Sequence, residues 1–244
     1  MDVGIYQGAT ALSALERWQD VLSQNIAAAT VPGYKKTEVS INGQDFGILQ
    51  DRANSSARQA AVMPVGTQKV SFMTGDMRRT DNPTDFSIGG DGFFSVREGD
   101  GKVRYTRNGE FTINSQSQLV TGSGEPVMGT GGPITVQPGG QSLSVDPSGK
   151  IYQGSQLVGT LAVVNFSDTS KLTKVSGGFH AGEGAQATNV IYPNISQGYL
   201  EGSNVSAIDE MVKLIQVSRA QEANQKVIAA HDNRLARVIQ TFNP

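Results

Sequence analysis

Three aspartates close in sequence, Asp81, Asp85 and Asp91, are the residues best suited by type to hold a hard cation. Calcium takes about six to eight oxygen ligands, supplied by carboxylates and carbonyls at regular spacing along a loop. Here Pro83 and the apolar residues between the aspartates break that spacing, so turn and capping roles are expected instead. The chain has two histidines, His180 expected in a Gly-rich loop and His231 on the terminal helix. A transition-metal site gathers several N, S or O ligands, so each histidine reads as surface or packing. Gly122-Ser-Gly124 begins like a phosphate loop, but Pro126 follows and no helix opens behind it. Gly182-Glu-Gly184-Ala-Gln-Ala187 fails in the same way, because an extended Val190–Tyr192 comes next. No nucleophile stands at motif spacing from a base, and cysteine is absent. The residues therefore point to no catalytic group, no metal site and no cofactor, and to a protein that is not an enzyme.

Net charge is −2, and the only adjacent basic pairs are Lys35-Lys36 and Arg78-Arg79. Isolated pairs of this kind read as solvated surface. Nothing here argues for nucleic acid or a small-molecule ligand as a partner. No stretch is long and apolar enough to span a bilayer. The first residues lack a charged region followed by an apolar one, so export, where it occurs, is expected without a cleaved signal peptide.

Two helical ends frame the chain. Ile5, Leu12, Leu15, Leu22 and Ile26 recur at helical spacing, which predicts an amphipathic helix over Val3–Ala29, stopped by Pro32-Gly33. Such a helix is about 40 Å long and marginal by itself in water, so its stripe needs a partner. At the other end, Ser206 with Asp209 resembles a capping box opening a helix to about Phe242. Asp209–Lys213 and Glu222–Lys226 stand at favourable i,i+4 spacing. At 100° per residue, Ile208, Met211, Val212 and Ile215 fall on one face. Val217, Ile228, Leu235, Val238 and Phe242 fall roughly opposite. Either the helix is kinked or broken onto one core, or a single long helix meets different neighbours along its two halves.

Between the ends, residues 35–79 read as a connecting region. Asn54-Ser55-Ser56 and Pro64 interrupt any period, and only short extended pieces such as Gln68–Met73 are expected. From Asp85 to about Asn165 the pattern is β: Phe86 and Ile88 alternate with polar residues, and Asp100-Gly101 suits a tight hairpin between Phe93–Val96 and Val103–Thr106. Further short strands are expected at Phe111–Ile113, Gln118–Thr121, Ile134–Val136, Leu143–Val145, Ile151–Tyr152 and Leu157–Phe166. Residues 167–198 read as irregular. The expected fold class is α+β: paired N- and C-terminal helices forming a coiled-coil-like segment, with a central antiparallel β barrel or sandwich. The domain reading is a helical domain from 1–34 and 199–244, a connecting region 35–79 and a Gly-rich β domain 80–198.

Three blocks, in order, resemble the flagellar axial family, the rod and hook subunits of the bacterial flagellum. NIAAATVPGY at 25–34, with Asn25, Pro32, Gly33 and Tyr34, looks like the motif ending the family's N-terminal helix. TDNPTDFSIGGDGFF at 80–94, with Asp85, Gly90, Gly92 and Phe93, leads to YTRNGEF at 105–111, with Arg107, Asn108 and Gly109. Together they resemble the opening of the family's β domain. YLEGSNV at 199–205, with Glu201, Ser203 and Asn204, and SRAQEANQK at 218–226 resemble its C-terminal helix. Ala28 stands where the family usually has Asn, Val31 where it has Thr or Ser, and Gln221 where an aromatic is usual.

The resemblance implies a structural subunit of the basal-body rod, exported by the flagellar type III apparatus and polymerised with other rod subunits into a hollow, torque-transmitting shaft in the periplasm. Length and the 80–94 block fit the proximal F-type members best, with the distal G type second; a hook-like subunit, or a secreted β-domain binding module, is the alternative. The expected seam comprises Ile5, Leu12, Leu15, Leu22 and Ile26 in front, and Ile208, Met211, Ile215, Ile228, Leu235 and Val238 behind.

Overall fold

A computed structural model describes residues 3–50 and 58–242. Two long helices and many short strands give an α+β fold. Helix α1 runs Val3–Ala27 and helix α2 runs Ala207–Phe242. Ser206 caps α2: its carbonyl accepts from Glu210 N, and its hydroxyl lies 3.4 Å from Asp209 N. Asp209 and Glu210 add negative charge at the positive end of the helix dipole. Because α2 is one continuous helix, the broken-helix alternative is removed. Glu222 and Lys226 pair as expected, at 2.7 Å. Lys213 instead pairs with Glu210, at i,i+3, because Glu210 lies on the buried side.

The described residues divide into two compact units. One holds 3–27, 37–50, 58–71 and 206–242; the other holds 28–36 and 72–205. In the first, residues expected to be irregular form a long antiparallel hairpin, Thr37–Gln50 against Arg58–Val70. Pro64 does not break it. In a two-stranded ribbon a proline can sit where its missing N–H faces outward. Residues 54–56 lie outside the described part of the chain.

The second unit is built from small sheets. In its six-stranded sheet the strand order is Leu172–Val175, Gly178–Ala181, Val103–Thr106, Phe93–Arg97, Val163–Phe166 and Ala187–Asn189. The two edge strands do not pair with each other, so this sheet is open. No closed barrel is found among the described residues, which corrects the barrel expectation: closure needs two neighbours for every strand, and here the strands divide among one open sheet and several sheets of two or three strands. The Phe93–Arg97/Val103–Thr106 hairpin is present, with Gly101 at φ +87°. Alternation along it explains its double burial. Phe94 joins a core with Phe86, Phe111, Ile151 and Val163, while Phe93 meets Phe72, Phe166 and Phe179 on the other face. The expected strand Leu157–Phe166 divides into Gln156–Thr160 and Val163–Phe166. The stretch 167–198, read as irregular, supplies both edge strands of the sheet.

Candidate functional site

The residues expected to form the seam lie on the two helices, and the motif residues other than Asn25 lie in the second unit. Helix α1 packs antiparallel to α2: Asn25 meets Glu210, and Gly8 meets Asn224. The close approach depends on Gly8, since a Cβ there would stand 2.8 Å from Ile228 Cγ1. Without that side chain, the Gly8 carbonyl accepts from Asn224 Nδ2 at 2.7 Å. Gly8→Leu should force the helices apart and destabilise their unit by about 1–3 kcal/mol, the usual cost of overpacking. Helix content followed through urea unfolding checks this; an unchanged midpoint would show that the helices do not touch there.

Leu22 is buried in the helical unit, and Leu12, Leu15, Ile26 and Ile228 are half-buried. The side chains of Ile5, Leu235 and Val238 lie outside the described ones. Ala14 and Val21, which the stripe did not include, are also buried, because α1 packs on the hairpin as well as on α2. On α2, Val217 is 2% exposed. The other face is bare: Ile208 is 75% exposed, Met211 and Val212 50% and Ile215 55%. The two faces separated by periodicity are therefore an inward face on α1 and an apolar outward face.

Asn25 is fully buried and acts as a staple. Its Oδ1 accepts from Thr37 N at 3.0 Å, while its Nδ2 donates to Thr37 O at 2.8 Å and to Glu210 Oε2 at 3.0 Å. The polar residues absent at 28 and 31 are not needed for the turn after α1. Backbone bonds from Val31 N to Ala28 O and from Gly33 N to Glu201 O hold it.

In the second unit the motif residues converge on a buried charge cluster. Lys35 Nζ donates to Glu201 Oε1 at 2.6 Å, both side chains being 1% exposed, and to Met73 O at 2.6 Å. Gly75 N donates to the same carboxylate oxygen, and Arg107 stands 3.6 Å from the other. Arg107 also donates to the carbonyls of Ile88 and Gly90 and lies over the Phe93 ring. Burial lowers the pKa of Lys35, against the raising effect of Glu201; burial lowers Arg107 too, against Glu201 and Asp91. Gly33, at φ +68°, lets the chain pass where a Cβ would collide with the Arg107–Asn108 backbone. A Cβ at Gly109 would collide with the Phe86 carbonyl. Asn204 accepts from Lys36 N and donates to Met73 O. Ser203 is half-buried beside it, and Gly92 is buried at φ +134°.

Lys35 corrects the reading of Lys35-Lys36 as a solvated pair, and sequence reasoning missed its role. Its carboxylate partner lies 166 positions away, beyond any local pattern. Arg78 and Arg79 are exposed, as expected. Asp85 is buried and accepts from Asn82 Nδ2 in a local turn, while Asp81 and Asp91 are exposed. His180 lies on a strand rather than in a loop, its Nε2 2.9 Å from Glu98, which also pairs with Arg104. His231 lies against Arg234 on α2.

Lys174 was also missed. Its amine donates to Lys35 O at 2.6 Å and sits 3.8 Å above the Tyr34 ring. Those contacts favour the ammonium, yet burial lowers its pKa to about 8. A lysine whose folded pKa is below its unfolded value binds fewer protons in the folded state, so stability rises as pH climbs from about 8 towards 10.5. The difference in unfolding free energy between the parent and Lys174→Met should therefore move in the parent's favour over that interval. Urea titrations at stepped pH check it, and a flat difference would exclude this amine.

The described chain thus comprises a helical pair built from its two ends and a β unit made of two separate segments. Two family models fall on these parts. One, described as flagellar hook protein FlgE/F/G D1 domain, matches residues 87–153, and another, flagellar basal body rod FlgEFG protein C-terminal, matches residues 196–241. Relatives match over nearly full length. The flagellar basal-body rod protein FlgF of Caulobacter vibrioides is 34% identical over 230 residues, covering 93% of each chain. FlgF of Rhizobium meliloti is 30% identical, covering 99% of this chain and 98% of its own. FlgG of Buchnera aphidicola from Acyrthosiphon pisum is 30% identical over 258 residues, covering 95% and 96%. The chain belongs to the flagellar basal-body rod proteins, of the F or G type, and is a structural rod subunit.

Proposed function

We propose that the chain assembles with other rod and axial subunits through its terminal helices into a hollow shaft. That shaft transmits torque and gives passage to exported flagellar proteins. The subunit itself leaves by the flagellar type III apparatus without a cleaved signal peptide and stands in the periplasmic part of the basal body. The observation that carries this is the outward face of α2, where four large apolar side chains are at least half exposed. A water-facing row of that kind marks an interaction surface.

Within the family we assign the F type. The FlgG alignment extends over 258 positions, more than the 244 residues of this chain, so it requires gaps here. The Caulobacter FlgF alignment needs only 230. Removing residues 1–27 deletes α1 and leaves 28–36, which belong to the β unit. Cells with that deletion should be non-motile and lack rods, while the purified variant keeps the near-UV signal of its β unit. Normal swimming would overturn the proposal.

A further inference from the structure

The six-stranded sheet carries an apolar knob beyond one edge and a cavity at the other. After the edge strand Ala187–Asn189, Ile191 and Tyr192 are 79% and 80% exposed. They are not on a loose loop. Val190 N donates to Val163 O just before them, and Ile195 N donates to Pro147 O just after. Asn194 O accepts from Gly89 N. Both ends of the segment are pinned, so little conformational freedom is left to lose on binding.

At the opposite edge, the turn between Leu172–Val175 and Gly178–Ala181 borders a cavity of about 260 Å³. Val31, Pro32, Tyr34 and Phe179 give it apolar walls, and Lys174 and Ser176 are among its polar groups. A cavity of about 150 Å³ holds a benzene ring, so this one admits a phenol and part of a second side chain. An aromatic face and an amine donor suit a phenol ring and its oxygen.

Five strand spacings of about 4.8 Å separate the two edges, so one molecule cannot fill its own cavity with its own knob. We propose that Ile191 and Tyr192 of one copy of this chain seat in the Tyr34–Phe179 cavity of a second copy. Knob and cavity occupy different places on the same molecule, so the contact is heterologous and propagates head to tail. It belongs to the β unit and does not rest on the helical seam.

The absence of cysteine makes the contact directly testable in the full chain. Asn189→Cys, beside the knob, is mixed with Ser176→Cys, at the cavity, and treated with a short bismaleimide. The control mixture replaces Ser176→Cys by Ser123→Cys, on an exposed turn elsewhere in the unit. The 189–176 product should exceed the 189–123 product several-fold, and adding Tyr192→Ala to the first partner should erase the excess. Equal yields, or an excess that survives Tyr192→Ala, would overturn the proposal. The same mixtures carrying Ile215→Asp separate it from the helical reading. The excess should persist there, and its disappearance would overturn the contact as one made by the sheets themselves.

Discussion

Glu201→Ala should lower the stability of the β unit by about 3–5 kcal/mol, the range for removing one partner of a buried ion pair. The size follows from what the carboxylate serves. One oxygen takes the Lys35 ammonium and the Gly75 N–H, and the other faces Arg107. With alanine there, two cations remain inside with their compensating charge gone. Lys35→Met leaves Glu201 with Arg107 and the Gly75 N–H, so it should cost less. The double variant Lys35→Met, Glu201→Ala should cost less than the sum of the two. Near-UV circular dichroism through urea unfolding gives all three values. An effect of Glu201→Ala below about 1 kcal/mol, the level of an exposed pair, would mean that the cluster is wet.

Leu22→Asp and Ile215→Asp should both block incorporation into rods, but for different reasons. Leu22 is 2% exposed within the subunit's own helical unit, so a carboxylate there destabilises that unit by several kcal/mol before any neighbour arrives. Ile215 is 55% exposed, and a carboxylate there stays in water in the single subunit. Its cost appears only when a neighbour covers it. The purified Ile215→Asp subunit should therefore melt like the parent, while Leu22→Asp loses helix signal early. Co-sedimentation with basal bodies measures incorporation. If Ile215→Asp incorporates like the parent, the outward face of α2 is not the seam.

Much of α2 was legible because its local cues agree: Ser206 caps it, acidic residues follow, and the apolar period separates two faces. The structure then shows which face is taken and which is bare. The hairpin Thr37–Gln50/Arg58–Val70 was not legible, because glycine, proline and polar residues mask the strand period that backbone pairing supplies. The motif residues Gly33, Arg107, Asn108, Gly109 and Glu201 could be picked out by resemblance. Their convergence could not, since it rests on pairings across most of the chain. Lys35 shows the limit clearly: a lysine beside another lysine reads as surface until a carboxylate 166 residues on is seen to meet it.

The backbone bond between Asn204 N and Tyr34 O also bears on folding order. Asn25 and Glu210 are separated by 185 positions, so pairing the chain ends directly would close a very long loop. Once the β unit has folded, Asn204 N lies against Tyr34 O, and the roots of both helices are already side by side. The remaining closure spans about a dozen residues, roughly four halvings of the loop, which lowers its entropic cost by on the order of 2–3 kcal/mol. On this entropic ground helix pairing is expected as a late step that starts at Asn25 and Glu210 and runs towards Gly8. Loop-closure entropy therefore favours an order in which the sheets form first and the two ends pair second.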